Sequence, residues 1–210
     1  MIISPELQSK FRRRLVIMLK VPRAGRVKTR LGRDIGMTAS AWWFRHQVTR
    51  LLRQLADPRW QIILSVAPDV EGLQSRVWPA QFLRMPQGGG DLGQRMARIF
   101  SQAPMGPVLV IGGDIPGIKR KHIADAFNQL GRSQAVFGPA TDGGYWLVGL
   151  QRNRPLPAGL FENVRWSSPH ALTDSIATMA PFLPAMVTTL QDIDTADDLA
   201  AHQALQLSSL

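Results

Sequence analysis

Short apolar runs separated by helix-patterned stretches recur along most of the chain, and this alternation limits the fold more than any other feature. Leu15 to Leu19, Trp60 to Val66, Val108 to Ile111, Ala135 to Phe137 and Tyr145 to Leu150 read as strands. Phe82 to Met85 and Met186 to Leu190 read as weaker ones. A helix is expected from a Thr38 cap to about Ala56, with Trp42, Trp43, Leu51, Leu52 and Leu55 on or near its apolar side. Further helices are expected over Leu92 to Gln102, Ile123 to Leu130, Ala171 to Met179 and Ala196 to Leu205. Strands that alternate with helices build a mostly parallel sheet covered on both faces. The expected fold is therefore α/β, a three-layer α/β/α arrangement around a mixed sheet. The Tyr145 strand follows its predecessor after a tight turn, which favours local antiparallel pairing. Residues 1–13 read as a polar lead-in, and 14–210 as a single domain of ordinary size.

Composition removes several function classes. With no cysteine, disulfides, thiol catalysis and thiolate metal sites are excluded. His46, His122, His170 and His202 stand singly without ligand spacing, so a zinc site is not expected. No stretch approaches the ~18 apolar residues that a membrane span requires. The first residues do not show charges followed by an apolar segment, so a cytoplasmic chain is expected. A net charge of +10, carried mostly by arginine, suits an anionic partner, although a solvated basic surface gives the same number. With one tyrosine and no basic run interleaved with aromatics, base-stacking platforms for nucleic acid are poorly supported.

Ligands of parallel α/β sheets sit beyond the carboxyl ends of the strands. Four unusual segments follow apolar strands and fall at that edge. The first, Pro22 to Leu31, reads PRAGRVKTRL. Gly25 allows backbone amides to approach an anion, and Arg26, Lys28 and Arg30 supply cations within one short segment. Together with Thr29 they form a candidate donor-phosphate loop, although the Gly-Lys-Ser/Thr ending of a Walker loop is missing. The second is Gly112-Gly113-Asp114. Magnesium takes few protein carboxylates when phosphate oxygens complete its shell, so Asp114 is a candidate metal ligand.

The third segment, Thr141-Asp142-Gly143-Gly144, has good turn chemistry, and a turn-forming aspartate is one reading of it. On the other reading, Asp142 orients an acceptor, acts as a base, or holds a donor sugar hydroxyl. The fourth is Asp192-Ile193-Asp194, whose aspartates share a face if extended and would complete a metal set. Helix capping by Asp194 competes with that role. Gln94 and Arg95 open a helix behind three glycines and could hold an anion there. Gly88 to Gly93 formally matches the G-x-G-x-x-G of dinucleotide folds, which keeps a nicotinamide-dependent oxidoreductase as an alternative. Asp91 inside that turn would repel a pyrophosphate.

These segments together resemble a bacterial glycosyltransferase-like family related to phospholactate guanylyltransferase and, more distantly, to molybdenum cofactor guanylyltransferase. The resemblance rests on PRAGRVKTRL, Ile111 to Ile118 (IGGDIPGI), Gly138 to Leu150 (GPATDGGYWLVGL), Trp166-Ser167-Ser168 with Thr173, and Asp192 to Leu199 (DIDTADDL), over roughly residues 15–200. It implies the glycosyltransferase-A fold of nucleotide-diphospho-sugar transferases. It also implies a donor-phosphate loop at Gly25, Lys28 and Arg30, a metal-binding Asp114 and a second ligand at Asp194. Ile115-Pro116 after Asp114 removes the Asp-x-Asp of many glycosyltransferases and keeps nucleotidyl transfer open beside sugar transfer.

The expected activity is metal-dependent transfer from a nucleoside triphosphate or nucleotide sugar, with Mg2+ or Mn2+, to an acceptor that the sequence does not identify. Asp114, Lys28, Arg30 and Asp142 are the candidate catalytic residues; Arg95, Asp142, Gly143 and Gly144 are candidate substrate contacts; Asp192 joins Asp114 and Asp194 as a candidate ligand. A basic module that binds nucleic acid is the contrasting alternative.

Overall fold

The structure, a computed structural model, describes residues 12–191, 198 and 200. Among them, seven strands form one sheet in the order β3-β2-β1-β4-β6-β5-β7. These are β1 Arg14–Lys20, β2 Gln61–Ala67, β3 Leu83–Pro86, β4 Val108–Gly112, β5 Ala135–Pro139, β6 Tyr145–Leu150 and β7 Ala185–Met186. The helices are α1 Thr29–Ile35, α2 Met37–Leu55, α3 Asp69–Gln74, α4 Leu92–Gln102, α5 Arg120–Leu130 and α6 Ala171–Ala177.

The centre of the sheet follows from side-chain alternation. In β1, Leu15, Ile17 and Leu19 enter one core with residues of α2 and α5, while Val16 lies in a second core with Met96, Ile99 and Phe100 of α4. A strand buried on both faces must be apolar at both parities, which is why it reads as a continuous run. β4 divides the same way: Leu109 and Ile111 on the first face, Val108 and Val110 on the second.

Register sets the rim. β1 runs parallel to both β2 and β4, with Met18 opposite Gly112 and Lys20 opposite Ala67. β6 is antiparallel to β4, with Leu147 opposite Ile111, so Tyr145 emerges at the rim where β1 and β4 end. The expected antiparallel pairing is present, and the remaining strand pairs are parallel.

Several local expectations are corrected. The basic segment is not all loop, because α1 begins at Thr29. Thr38 does not cap α2: Gly36 stands at the cap with φ 94° and makes no side-chain cap bond, and Thr38 lies inside the helix. Trp42 faces solvent at 58% exposure, so the apolar face of α2 is carried by Phe44, Val48, Leu51, Leu52 and Leu55. α6 ends at Ala177. β7 is two residues long; beyond it, among the described residues, the Val187 amide donates to the Phe137 carbonyl at 2.9 Å and a bridge pairs Leu190 with Ala140. The expected helix over Ala196 to Leu205 lies outside the described residues, Ala200 and Asp198 aside. Among the described residues no helix is long and apolar enough to cross a membrane.

Candidate active site

The first wall of the site grows out of β1. Past Lys20 the chain turns, with the Arg26 amide donating to the Arg23 carbonyl at 3.0 Å, and Val27 anchors the turn in the core. Lys28 follows in the left-handed region, φ 45° and ψ 49°, and its carbonyl accepts the Gly32 amide at 2.8 Å to open α1. A non-glycine residue held there costs about 1–2 kcal/mol, a strain that concentrates at functional sites. The Lys28 ammonium reaches Asp114 Oδ2 at 3.1 Å. The lysine side chain is only 5% exposed and the aspartate side chain 40%, so a nearly buried cation meets a carboxylate still open to the cleft.

The opposite wall grows out of the β5–β6 turn. Asp142 Oδ1 accepts the Gly144 amide at 2.9 Å, the turn-forming role anticipated for it. The Ala140 amide donates to the Gly144 carbonyl at 3.0 Å, and the Leu172 amide donates to the Gly143 carbonyl at 3.0 Å. Gly143 has φ 85° and lies so close to Pro169 that a Cβ would overlap its backbone. The 166–172 segment is thereby seated on the turn, which brings Ser167, itself at φ 56°, and Ser168 to the cleft. Outside the wall, Arg165 grips Asp174 through its amide at 3.0 Å and its guanidinium at 2.8 and 2.9 Å.

The floor is organised by Gln87, 3% exposed. Its amide nitrogen donates to the carbonyls of Leu19 at 3.0 Å and Ser65 at 2.9 Å, tying the ends of β1, β2 and β3 together. Arg95 lies over this floor, with Nε donating to the Gly90 carbonyl at 3.0 Å. Gln94 forms a capping box with Asp91, its backbone amide donating to Asp91 Oδ1 and its side-chain oxygen accepting the Asp91 amide. The same cap places a carboxylate on the amide that a dinucleotide pyrophosphate would need. With β3 at the sheet edge, the G-x-G-x-x-G match is a turn closed on itself.

One cleft of about 880 Å³ gathers Arg26, Lys28, Thr29, Arg30, Arg95, Asp114 and Asp142. Seven candidates spread across the sequence thus share one rim. Gly25, at φ 73°, turns the chain without lining the cleft, and Gly143 serves packing. Gly144 lines a smaller adjoining chamber. Asp192 and Asp194 lie outside the described residues. Sequence reading missed Lys20, Gln87, Ser167 and Ser168, which also line the cleft. The two serines stood in a recognisable segment but carried no assigned role, and Gln87 gave no signal because its function is to satisfy carbonyls of distant strands.

For a metal, the donor chemistry is a phosphate-assisted one. Among the described residues no group of three or more His, Asp or Glu side chains gathers into a protein cage. The open carboxylate of Asp114 beside a cationic wall fits a hard cation that takes most of its oxygens from phosphate and water.

Comparison with known proteins agrees with this architecture. The family described as "Uncharacterized protein conserved in bacteria (DUF2064)" matches residues 50–168. A Desulfovibrio desulfuricans G20 protein, provisionally named a nucleotide-diphospho-sugar transferase, is 29% identical, with a TM-score of 0.79 over 90% of this chain and 85% of that one. The 4-diphosphocytidyl-2C-methyl-D-erythritol synthase of Anaerococcus prevotii DSM 20548 is 12% identical, with a TM-score of 0.58 over 94% and 99%. Rv0371c of Mycobacterium tuberculosis H37Rv is 15% identical, with a TM-score of 0.52 over 92% and 97%. No curated protein matches the sequence. The fold is that of the nucleotide-diphospho-sugar transferases, as the resemblance implied.

Proposed function

The chain belongs to the DUF2064 family, and from the cleft it carries we propose that it transfers a group from a nucleotide-activated donor, held through its phosphates and a divalent cation, to a separate acceptor. The observation that carries this reading is the 3.1 Å pair between Lys28 and Asp114. It joins the segments after β1 and β4 at the carboxyl edge of the sheet, where ligands of such folds sit. The transferase names of similar structures, including a 4-diphosphocytidyl product in one, support a nucleotide donor.

In this reading Lys28, Arg26 and Arg30 bind the donor phosphates, and Arg95 closes the cleft from the α4 side. Asp114 would hold Mg2+ or Mn2+, with Asp194 and Asp192 proposed from the sequence as further ligands. The cation, when bound, offsets charge that builds on the leaving phosphate. Lys28, nearly buried, and Arg30, more exposed, do the same from the protein side. Asp142, across the cleft, orients the acceptor hydroxyl and takes its proton while its other oxygen keeps the turn closed.

Calorimetry of nucleoside triphosphates and nucleotide sugars, with and without magnesium or manganese, tests the proposal. At least one donor should bind with a metal-dependent gain, and Asp114→Ala should remove that gain and lower turnover by roughly 100-fold or more. Donor affinity that is the same in Asp114→Ala with magnesium present would overturn it.

A further inference from the structure

A second chamber of about 300 Å³ opens off the donor cleft on its β6 side. At the mouth the two spaces share the polar side chains of Asp114, Asp142, Ser167 and Ser168, with Met18, Leu92 and Gly112 beside them. Beyond the shared mouth the chamber wall turns apolar, with Met96, Val110, Tyr145, Trp166 and Ala171. Of the polar tips in that wall, the Trp166 indole nitrogen is buried without a hydrogen-bond partner among the described residues, while the Tyr145 hydroxyl and the Trp146 indole are bonded inside the protein. The Tyr145 hydroxyl accepts from Ser175 Oγ at 3.2 Å and contacts Met96 Sδ at 3.9 Å; burial pushes the phenol up, so it stays neutral. The Trp146 indole donates to the Thr188 carbonyl at 2.9 Å.

The two spaces differ most in charge. The donor cleft is lined by Lys20, Arg26, Lys28, Arg30 and Arg95. Among the described residues that line the chamber there is no Lys, Arg or His. A phosphate or carboxylate entering it would lose water without gaining a cation, and it would pass Asp142 on the way. An apolar body loses nothing by that transfer, and a hydroxyl left at the mouth meets Asp142 and the two serines.

We propose that this chamber is the acceptor subsite and that it takes a small alcohol with an apolar body, neutral or positively charged, rather than a phosphorylated or carboxylated acceptor. The proposal rests on the transferase reading above and names its second substrate by class. In the reaction the acceptor oxygen forms a bond to the electrophilic phosphorus or sugar carbon of the donor as that atom's bond to the leaving phosphate breaks. The leaving phosphate keeps the electron pair, and the acceptor proton passes to Asp142. The apolar wall holds the body so that the hydroxyl stays at the mouth.

Three probes with one body and different heads test this on the full chain: benzyl alcohol, 2-amino-2-phenylethanol and benzyl phosphate, each titrated by ligand-observed NMR. Benzyl phosphate also meets the cations of the donor cleft, so chamber binding is scored as the part that a filling substitution removes. Ala171→Leu fills the chamber from α6 and Met96→Trp from α4, so the readout does not depend on one variant folding. Both alcohols should show chamber binding at least tenfold tighter than benzyl phosphate, and both fillings should abolish it while metal-dependent nucleotide binding remains. Asp142→Asn keeps an acceptor for the Gly144 amide and should shrink the penalty on benzyl phosphate to about threefold or less, the loss of one nearby charge. Alcohol binding that survives both fillings, chamber binding of benzyl phosphate as tight as that of the alcohols, or no chamber binding at millimolar concentration would overturn the proposal. Absent nucleotide binding in the unsubstituted chain would instead overturn the transferase reading and leave the chamber result to stand by itself.

Discussion

The two walls of the cleft are built from different materials and by different means. The wall after β1 is cationic, with Arg26, Lys28 and Arg30 on a short turn and the start of α1. The wall after β5 is carboxylate and hydroxyl, with Asp142, Ser167 and Ser168. The first is held by side chains, through Val27 in the core and Lys28 on Asp114. The second is held by backbone, through the Gly143 carbonyl, the Gly144 amide and the contact of Gly143 with Pro169. A cationic wall suits the phosphates of a donor, which stay much the same whatever is transferred. A wall of carboxylate and hydroxyl suits the hydroxyl of the proposed acceptor.

The sharpest break in this comparison would come from one substitution on each side. Lys28→Ala should weaken metal-dependent donor binding by about tenfold to a hundredfold, the worth of one charge-assisted hydrogen bond. Asp142→Asn should leave donor affinity within about twofold and lower turnover by roughly 100-fold or more, as loss of a general base does. Donor titration and initial rates on both variants decide the matter. If Asp142→Asn weakens the donor as much as Lys28→Ala does, the walls are not specialised and the division of labour fails.

The asymmetry also explains what the sequence made legible. The strands were readable because a sheet buried on both faces needs apolar side chains at both parities, as in Leu15 to Leu19 of β1 and Val108 to Ile111 of β4. The carboxyl-edge segments were readable because glycine, aspartate and cations there do nothing for a core. α1 was not readable: its seven residues bury only Leu31 and Gly32, so no apolar period marks it. α3, six residues with only Gly72 buried, fails for the same reason. The left-handed backbone at Lys28 was invisible because a lysine carries no local preference for that region. The capping box of Gln94 was not legible because a glutamine at the third helical position reads equally well as an anion ligand or as half of such a box. Ser167 and Ser168 reach the cleft only because their segment docks on Gly143, a contact that no local pattern encodes.

That docking contact supplies the next test, on stability. Gly143→Ala places a Cβ against Pro169 in a backbone conformation, φ 85°, that alanine adopts reluctantly. Strain and overlap together should cost about 2–4 kcal/mol, read as a lowered unfolding midpoint in denaturant. On the cationic wall, Gly25 also has positive φ, but a Cβ there meets nothing within 4 Å, so Gly25→Ala should cost only the backbone part, about 1 kcal/mol. Equal losses at the two glycines would show that the second wall is not fixed by its contact with the 166–172 segment.

The smallest effect is expected outside the second wall, at the Arg165–Asp174 clamp. Hydrogen bonds from the Arg165 side chain and amide hold the Asp174 carboxyl well below the usual carboxylate range. A depressed folded-state value contributes stability above the unfolded value near 4 and loses it only as pH falls through the folded one. Between pH 5 and 8 Asp174 is therefore ionised in both states, and the clamp is constant. Arg165 is largely exposed and Asp174 partly so, so salt screens the pair and the melting temperature should hardly move in Arg165→Ala. The substitution should instead speed amide exchange at Trp166 and His170, whose amides are bonded within the clamped segment, equally at pH 5 and pH 8 after correction for intrinsic rates. Exchange that quickens in the unsubstituted chain on going from pH 8 to pH 5 would mean that a titrating group other than Asp174 sets the order of this wall.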